Sequence, residues 1–424
     1  MRSAILSILI LFSYNLYSQS GFDQFFSGET MRMDFVLAGN NSQTHAYFFD
    51  LSREIKWSGS FSPKEPFING NYFIELYNPD LDSVVFLKSF NTLFGEWQTT
   101  AEAKIKDRAF QQTVYFPRPL VRSALRLYKR KDRGNANKLL EVNINPDDFL
   151  IPLNSEIPEY TTVRKSGDPE DKVDLVFIAE GYTPGEKDKF FNDVDRFSNY
   201  FFSVKPFAEM KNEFNIHAVY SPSSASGSDN PGISRWISTP AETGFYTFGS
   251  ERYLTSSEYW KICDLVTNVP HDHILILVNT DKYGGGGIYN HYSVFTSDHS
   301  LSEIVFVHEF GHGFAGLGDE YYNSEVAYES FYSLDKEPLP PNLTTLVNFE
   351  LKWKDMVQKD VPVPTPVKRE YADRVGAFEG GGYVAKGVYR PQIKCRMKSN
   401  DAEEFCKVCQ RSLQKMILYY TEEE

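Results

Sequence analysis

The chain has 424 residues, 41% of them hydrophobic and 24% charged, which fits an ordered globular protein long enough for two domains and excludes a disordered one. A net charge of −13 with no basic run argues against a nucleic-acid partner. Beyond the first 20 residues no run is long and apolar enough to cross a bilayer, so no transmembrane segment is expected.

Residues 1–20 read as a signal peptide: Arg2 gives a positive start, residues 4–12 are apolar, and residues 16–18 offer a usable cleavage signal. Export to the periplasm, cell surface or medium is expected, with a mature chain starting near Gln19 or Gly21. Residues 21–160 carry short, partly alternating β-branched and aromatic runs at 30–39, 44–51, 83–90, 111–117 and 123–130, separated by turn residues; they predict an all-β antiparallel sandwich. The polar, Pro- and Gly-broken stretch 156–172 predicts a linker. From residue 161 to 424 the pattern becomes mixed. Apolar strands at 173–182, 214–221 and 273–279 alternate with helical spacing at 183–204 and 250–269, so an α/β domain is expected. Its four cysteines, Cys263, Cys395, Cys406 and Cys409, are too few for a disulfide scaffold. Cys406 and Cys409 form a CxxC with Cys395 upstream. That arrangement suits a structural zinc, a redox pair, or a local disulfide from Cys395 to Cys406 or Cys409.

The densest chemistry lies in IVFVHEFGHGFAGLGDEYY, residues 304–322. His308 and His312 stand one helical turn apart on one face, a spacing at which two imidazoles can share a Zn²⁺. Glu309 is placed to take a proton from an attacking water as general base. Gly311, Gly313, Gly316 and Gly318 are costly in a helix interior, and a purely structural helix has little use for them. A catalytic zinc takes three protein ligands and keeps one position open. After the GLG turn the third donor is Asp319, with Glu320 as the alternative and otherwise a supporting group; Glu325 and Glu329 are more remote candidates.

The segment HEFGHGFAGLGDEYY resembles the metzincin clan of zinc peptidases, and within it the immunoglobulin-A peptidase family. TMRMDFVLAG at 30–39 and DLVFIAEGYT at 174–183 are similar to that family as well. The resemblance implies a zincin-like catalytic domain behind an N-terminal β-sandwich, one catalytic Zn²⁺ on His308, His312 and Asp319, and Glu309 as the base. The usual metzincin has a histidine six residues after its second ligand; here that position is Gly318, with Asp319 following and Gly316 as the turn glycine. The resemblance further implies a methionine turn beneath the metal at KCRMKS, with Met397 as its methionine and the neighbouring cysteines as structural groups.

Gly284, Gly285, Gly286 and Gly287 precede the motif, where metzincins present a sheet edge to extended substrate, and four glycines suggest a mobile loop. Tyr383 or Tyr389, in a second Gly/Tyr-rich stretch, could stabilise an oxyanion or wall the cleft. His291 and His299 read as exposed loop histidines rather than ligands of a second site. The expected protein is a secreted zinc endopeptidase acting on protein or peptide, with no partner protein implied. The rival reading is a catalytically inactive peptidase-like chain whose N-terminal β domain binds a host or cell-surface ligand.

Overall fold

The computed structural model describes residues 21–322 and 332–422; the expected signal peptide, Glu325 and Glu329 lie outside the described residues. The N-terminal part comprises β1 (Phe26–Gly39), β2 (Thr44–Glu54), β3 (Tyr72–Asn78), β4 (Ser83–Phe90), α1 (Leu93–Trp97), β5 (Arg108–Pro119), β6 (Ser123–Arg130), β7 (Ala136–Ile144) and β8 (Leu153–Asn154). These strands form two four-stranded sheets, ordered β5-β1-β2-β8 and β4-β3-β6-β7. Met31, Met33, Phe35 and Leu37 alternate along β1 and are all buried, facing a core that includes Ile74, Leu76, Leu125 and Leu127 of the other sheet. Burying each such side chain stabilises by roughly 1.5–3 kcal/mol, which fixes the strand register against a one-residue slip.

The second part comprises β9 (Tyr160–Arg164), β10 (Val173–Glu180), α2 (Lys187–Phe201), β11 (Phe214–Val219), β12 (Thr243–Gly244), β13 (Thr255–Ser256), α3 (Tyr259–Leu265) and β14 (His273–Val278). It continues with β15 (Gly285–Ile288), β16 (Tyr292–Thr296), α4 (Ser302–Ala315), β17 (Phe378–Gly381), β18 (Val384–Arg390) and α5 (Lys407–Thr421). A six-stranded sheet runs β15-β16-β14-β10-β11-β9, parallel at its centre and antiparallel at both edges. Every residue of β10, β11 and β14 is buried, as their continuous apolar runs require of strands covered on both faces.

Two stretches depart from the sequence reading. The predicted linker 156–172 contains β9, whose backbone pairs with β11; its exposed threonines, Thr161 and Thr162, are those of a protected sheet edge, while Tyr160 and Val163 pack against the cores. The predicted helix at 250–269 shrinks to α3, because Arg252 and Leu254 spend their backbone groups pairing with Gly285 and Ser256 Oγ accepts the Glu258 N–H. Among the described residues no helix is long and apolar enough to cross a membrane.

The two faces of the large sheet meet different partners. Leu175, Phe177, Leu275 and Leu277 pack with α2, α4 and α5 through Phe197, Phe306, Phe310 and Leu413. Val176, Ile178, Ile274 and Ile276 point the other way, into one continuous core with α3 and the N-terminal sandwich. Polar contacts tie the same junction. Buried Arg32 pairs with Asp34 at 2.9 Å and Asp264 at 2.6 Å, and Asn290 Nδ2 donates to Ser89 O at 2.6 Å. The sandwich therefore forms part of the peptidase part's core and fixes what stands above the active helix.

Candidate metal centre

Helix α4 carries both histidines and ends at Gly316, whose φ of +62° is the left-handed turn that a residue with a side chain adopts only under strain. The other motif glycines permit close approach. A Cβ on Gly313 would stand 2.4 Å from Ser293 Oγ, and one on Gly311 would stand 3.0 Å from Met397 Sδ. Met397 is thus seated, fully buried, directly against the helix between the two histidines.

Both imidazoles are oriented by backbone carbonyls. His308 Nδ1 lies 3.0 Å from Arg396 O, and His312 Nδ1 lies 2.6 Å from Leu317 O. With Nδ1–H donated to those carbonyls, each Nε2 presents a lone pair, and the two Nε2 atoms face each other at 3.1 Å. Asp319 Oδ1 completes the triangle, 3.0 Å from His308 Nε2 and 3.3 Å from His312 Nε2. It is buried and finds no hydrogen-bond donor. Three converging lone pairs repel unless a proton or a metal cation lies among them, and two imidazoles with one carboxylate are a donor set that fits a divalent metal ion of the zinc type. Burial works against a charged His312, but Asp319 beside it outweighs this and lifts its pKa to about 9. Burial likewise raises the Glu309 carboxyl, with Asp319 adding to the effect while His308, His312 and Arg252 oppose it.

Above the triad runs a cleft of about 710 Å³. His308, Glu309, His312 and Asp319 form its floor, the edge strand β15 and Arg252 line one side, and the N-terminal sandwich contributes Asn71, Asn91, Glu96 and Lys129 to its wall. The sequence model of the IgA Peptidase M64 family matches residues 161–374 and 367–417, and that of the Peptidase M64 N-terminus matches residues 21–141. The chain belongs to the IgA Peptidase M64 family. Among curated proteins none matches it. Family membership and the His–His–Asp cluster together make this M64 chain a zinc-dependent metalloendopeptidase with a β-rich N-terminal sandwich and a mixed α/β catalytic part.

Within this M64 site the expected residues divide sharply. Asp319 reaches the histidines, whereas Glu320 turns away: its Oε1 accepts from Asn342 Nδ2 at 3.0 Å and lies 3.3 Å from Cys409 Sγ. Tyr383 donates its hydroxyl to Asp319 Oδ2, while Tyr389 does not line the cleft. Gly285, Gly286 and Gly287 are not a loop but β15 itself, with Gly284 just before it. The outward backbone groups of Gly285 are also already used, its N–H donating to Arg252 O and its carbonyl accepting from Leu254 N–H, both at 3.2 Å. The segment before α3 thus occupies the place at Gly285 where substrate was expected to pair. His291 is no exposed loop histidine: it is buried, 3.0 Å from Gln112 Oε1, and burial lowers its pKa to about 3. His299 is half-buried against Tyr283. None of the four cysteines is in a disulfide; Cys395 and Cys409 stand 3.7 Å apart at sulfur.

Sequence reasoning missed three contributors. Asn342 clamps the turn that carries Asp319, exchanging 2.8 Å hydrogen bonds with the Gly318 N–H and carbonyl. Arg252 brings a cation into the cleft over the Tyr321 ring, 5.9 Å from its centroid. The sandwich wall depends on contacts between residues far apart in sequence, which no local pattern records.

Proposed function

We propose that this chain is an exported endopeptidase that binds extended polypeptide in the cleft between the sandwich and the α/β part, and that holds one catalytic zinc on His308, His312 and Asp319 in a zincin-like arrangement. The convergence of two lone-pair Nε2 atoms with a partnerless buried carboxylate oxygen carries the reading. Bound there, zinc supplies Lewis acidity, polarising the scissile carbonyl and easing deprotonation of water. Glu309 takes the proton of the attacking water on its carboxylate and returns it to the departing amine nitrogen; a carboxyl raised by burial suits that exchange. Tyr383 fixes Asp319 through Oδ2, and the carbonyls of Arg396 and Leu317 fix the imidazoles, so the donor set is pre-oriented before substrate arrives. Arg252 offers positive charge to the developing oxyanion from the cleft wall.

The substrate class is unstructured or extended polypeptide. Asparagines in the wall supply adaptable polar contacts to a cleft of about 710 Å³. The signal-peptide pattern at residues 1–20 supports export. The test is incubation of purified protein and its Glu309→Gln variant with intact immunoglobulins and with a diverse peptide pool, followed by mass spectrometry of new termini. Internal cleavage of the pool by wild type alone supports the proposal. Absence of cleavage by wild type with zinc bound overturns it. Cutting only at an immunoglobulin hinge overturns the broad substrate class while leaving the chemistry intact.

A further inference from the structure

Asp319 and Glu320 are adjacent, yet their carboxylates serve two separate clusters. Glu320 enters a closed chamber with Cys395, Cys406 and Cys409, and all four residues are at most 3% exposed. Their four potential donor atoms lie within 4.8 Å of one another. We infer that Glu320, Cys395, Cys406 and Cys409 form a second, structural metal site, of zinc type, distinct from the catalytic triad.

Geometry supports this directly. Tetrahedral zinc with Zn–S bonds of about 2.3 Å places sulfurs roughly 3.8 Å apart and a carboxylate oxygen roughly 3.5 Å from each sulfur. Cys395 and Cys409 sulfurs are 3.7 Å apart, and Glu320 Oε1 is 3.3 Å from Cys409 Sγ and 3.7 Å from Cys406 Sγ. A disulfide needs about 2.05 Å between sulfurs and would leave one thiol of the three unused against the carboxylate. Glu320 Oε2 is buried with no hydrogen-bond partner, an expensive state for a carboxylate unless a cation neutralises it. Backbone N–H groups support the sulfurs as thiolates: Cys406 N–H donates to Cys395 Sγ at 3.2 Å and Cys409 N–H to Cys406 Sγ at 3.5 Å. Cys406 also caps the N-terminus of α5, a 15-residue helix whose dipole favours negative sulfur. Three thiolates and one carboxylate leave no open position, as in a structural rather than a catalytic site.

This site would join three segments that shape the catalytic centre. Glu320 follows Asp319, Cys395 precedes Arg396 and Met397, and α5 anchors the assembly from below. The backbone already couples them, since Glu320 N–H donates to Met397 O at 2.8 Å. The inference does not depend on the peptidase reading, and its test separates the two sites.

The experiment uses full-length mature protein purified without chelator, as wild type and as the His308→Ala, His312→Ala double variant, which leaves the closed chamber intact. Elemental mass spectrometry should find two zinc ions per wild-type chain and one in the double variant. Zinc-edge X-ray absorption of the double variant should show sulfur scatterers at about 2.3 Å. Cobalt substitution should give it thiolate-to-metal charge-transfer bands, which a further Cys406→Ser change weakens and shifts. A metal-free, folded double variant overturns the inference, whether its three thiols are free to alkylation or two are joined by a disulfide. Zinc retained with only nitrogen and oxygen scatterers overturns it equally.

Discussion

Gly287→Ala is a one-carbon change on the edge strand β15 that should disable the active helix without touching a donor. A Cβ at that position would lie 2.3 Å from Glu309 O and 2.9 Å from His312 Cβ. The first distance is about 1 Å inside ordinary van der Waals contact and meets backbone, which cannot swing aside. Either β15 or α4 must move. The edge strand is held by β16 on one side and by Arg252 and Leu254 on the other, so the displacement falls partly on the helix bearing His312 and Glu309. Overpacking of this kind costs about 1–3 kcal/mol of stability, and misplacing reacting groups by about 1 Å costs on the order of 10²-fold in rate. Gly185→Ala is the control, because a Cβ there meets nothing within 4 Å. Thermal unfolding, zinc content and kcat would be measured on both variants. Gly185→Ala should match wild type, while Gly287→Ala should unfold earlier and lose most of its kcat. Wild-type kcat in Gly287→Ala would refute the packing argument.

Other outcomes follow from the same geometry. Glu309→Gln should keep zinc and fold but lower kcat by about 10²–10⁴-fold, measured on an internally quenched peptide. Tyr383→Phe removes the hydroxyl donor to Asp319 Oδ2 and should weaken zinc binding by about 10–100-fold in a chelator competition titration. His273 and His291 are buried and His271 is half-buried, and loss of solvation lowers their pKa values to about 3, 3 and 4 respectively. Their unfolded forms protonate near 6.5, so stability holds above that pH and falls as pH drops toward 4, by up to about 1.4 kcal/mol per pH unit for each imidazole; urea midpoints from pH 7 to 4 would check it. A fragment beginning at residue 155 exposes Val176, Ile178, Ile274 and Ile276 and should aggregate or bind a hydrophobic dye, whereas the intact chain should not.

What the sequence disclosed was local. The spacing of His308 and His312, the turn at Gly316 and the short reach of Asp319 are all set within one helix and the turn after it, and the structure brings them together. Alternation identified β1, β2, β4, β5 and β6 but not β3 or β7; β7 is largely exposed and its adjacent Leu139 and Leu140 break the alternation, so its pattern is weak. Edge pairing misled twice. The short stretch 160–164 looked like linker because an edge strand with two exposed threonines shows little apolar pattern, and residues 250–258 looked helical although long-range pairing with Gly285 takes the backbone of Arg252 and Leu254. His291 was misread for a related reason, since the element that buries it, with Gln112 and Tyr259, comes from elsewhere in the chain. Glu320 could be separated from Asp319 only once the cysteines 75 to 89 residues later were seen to converge on it.

Anomalous diffraction at the zinc edge, on crystals of the mature protein grown without chelator, tests the central claim most directly. The account predicts a peak bonded to His308 Nε2, His312 Nε2 and an oxygen of Asp319, at the floor of the cleft between the two parts. No peak there, or a peak ligated by Glu320 in place of Asp319, would contradict it.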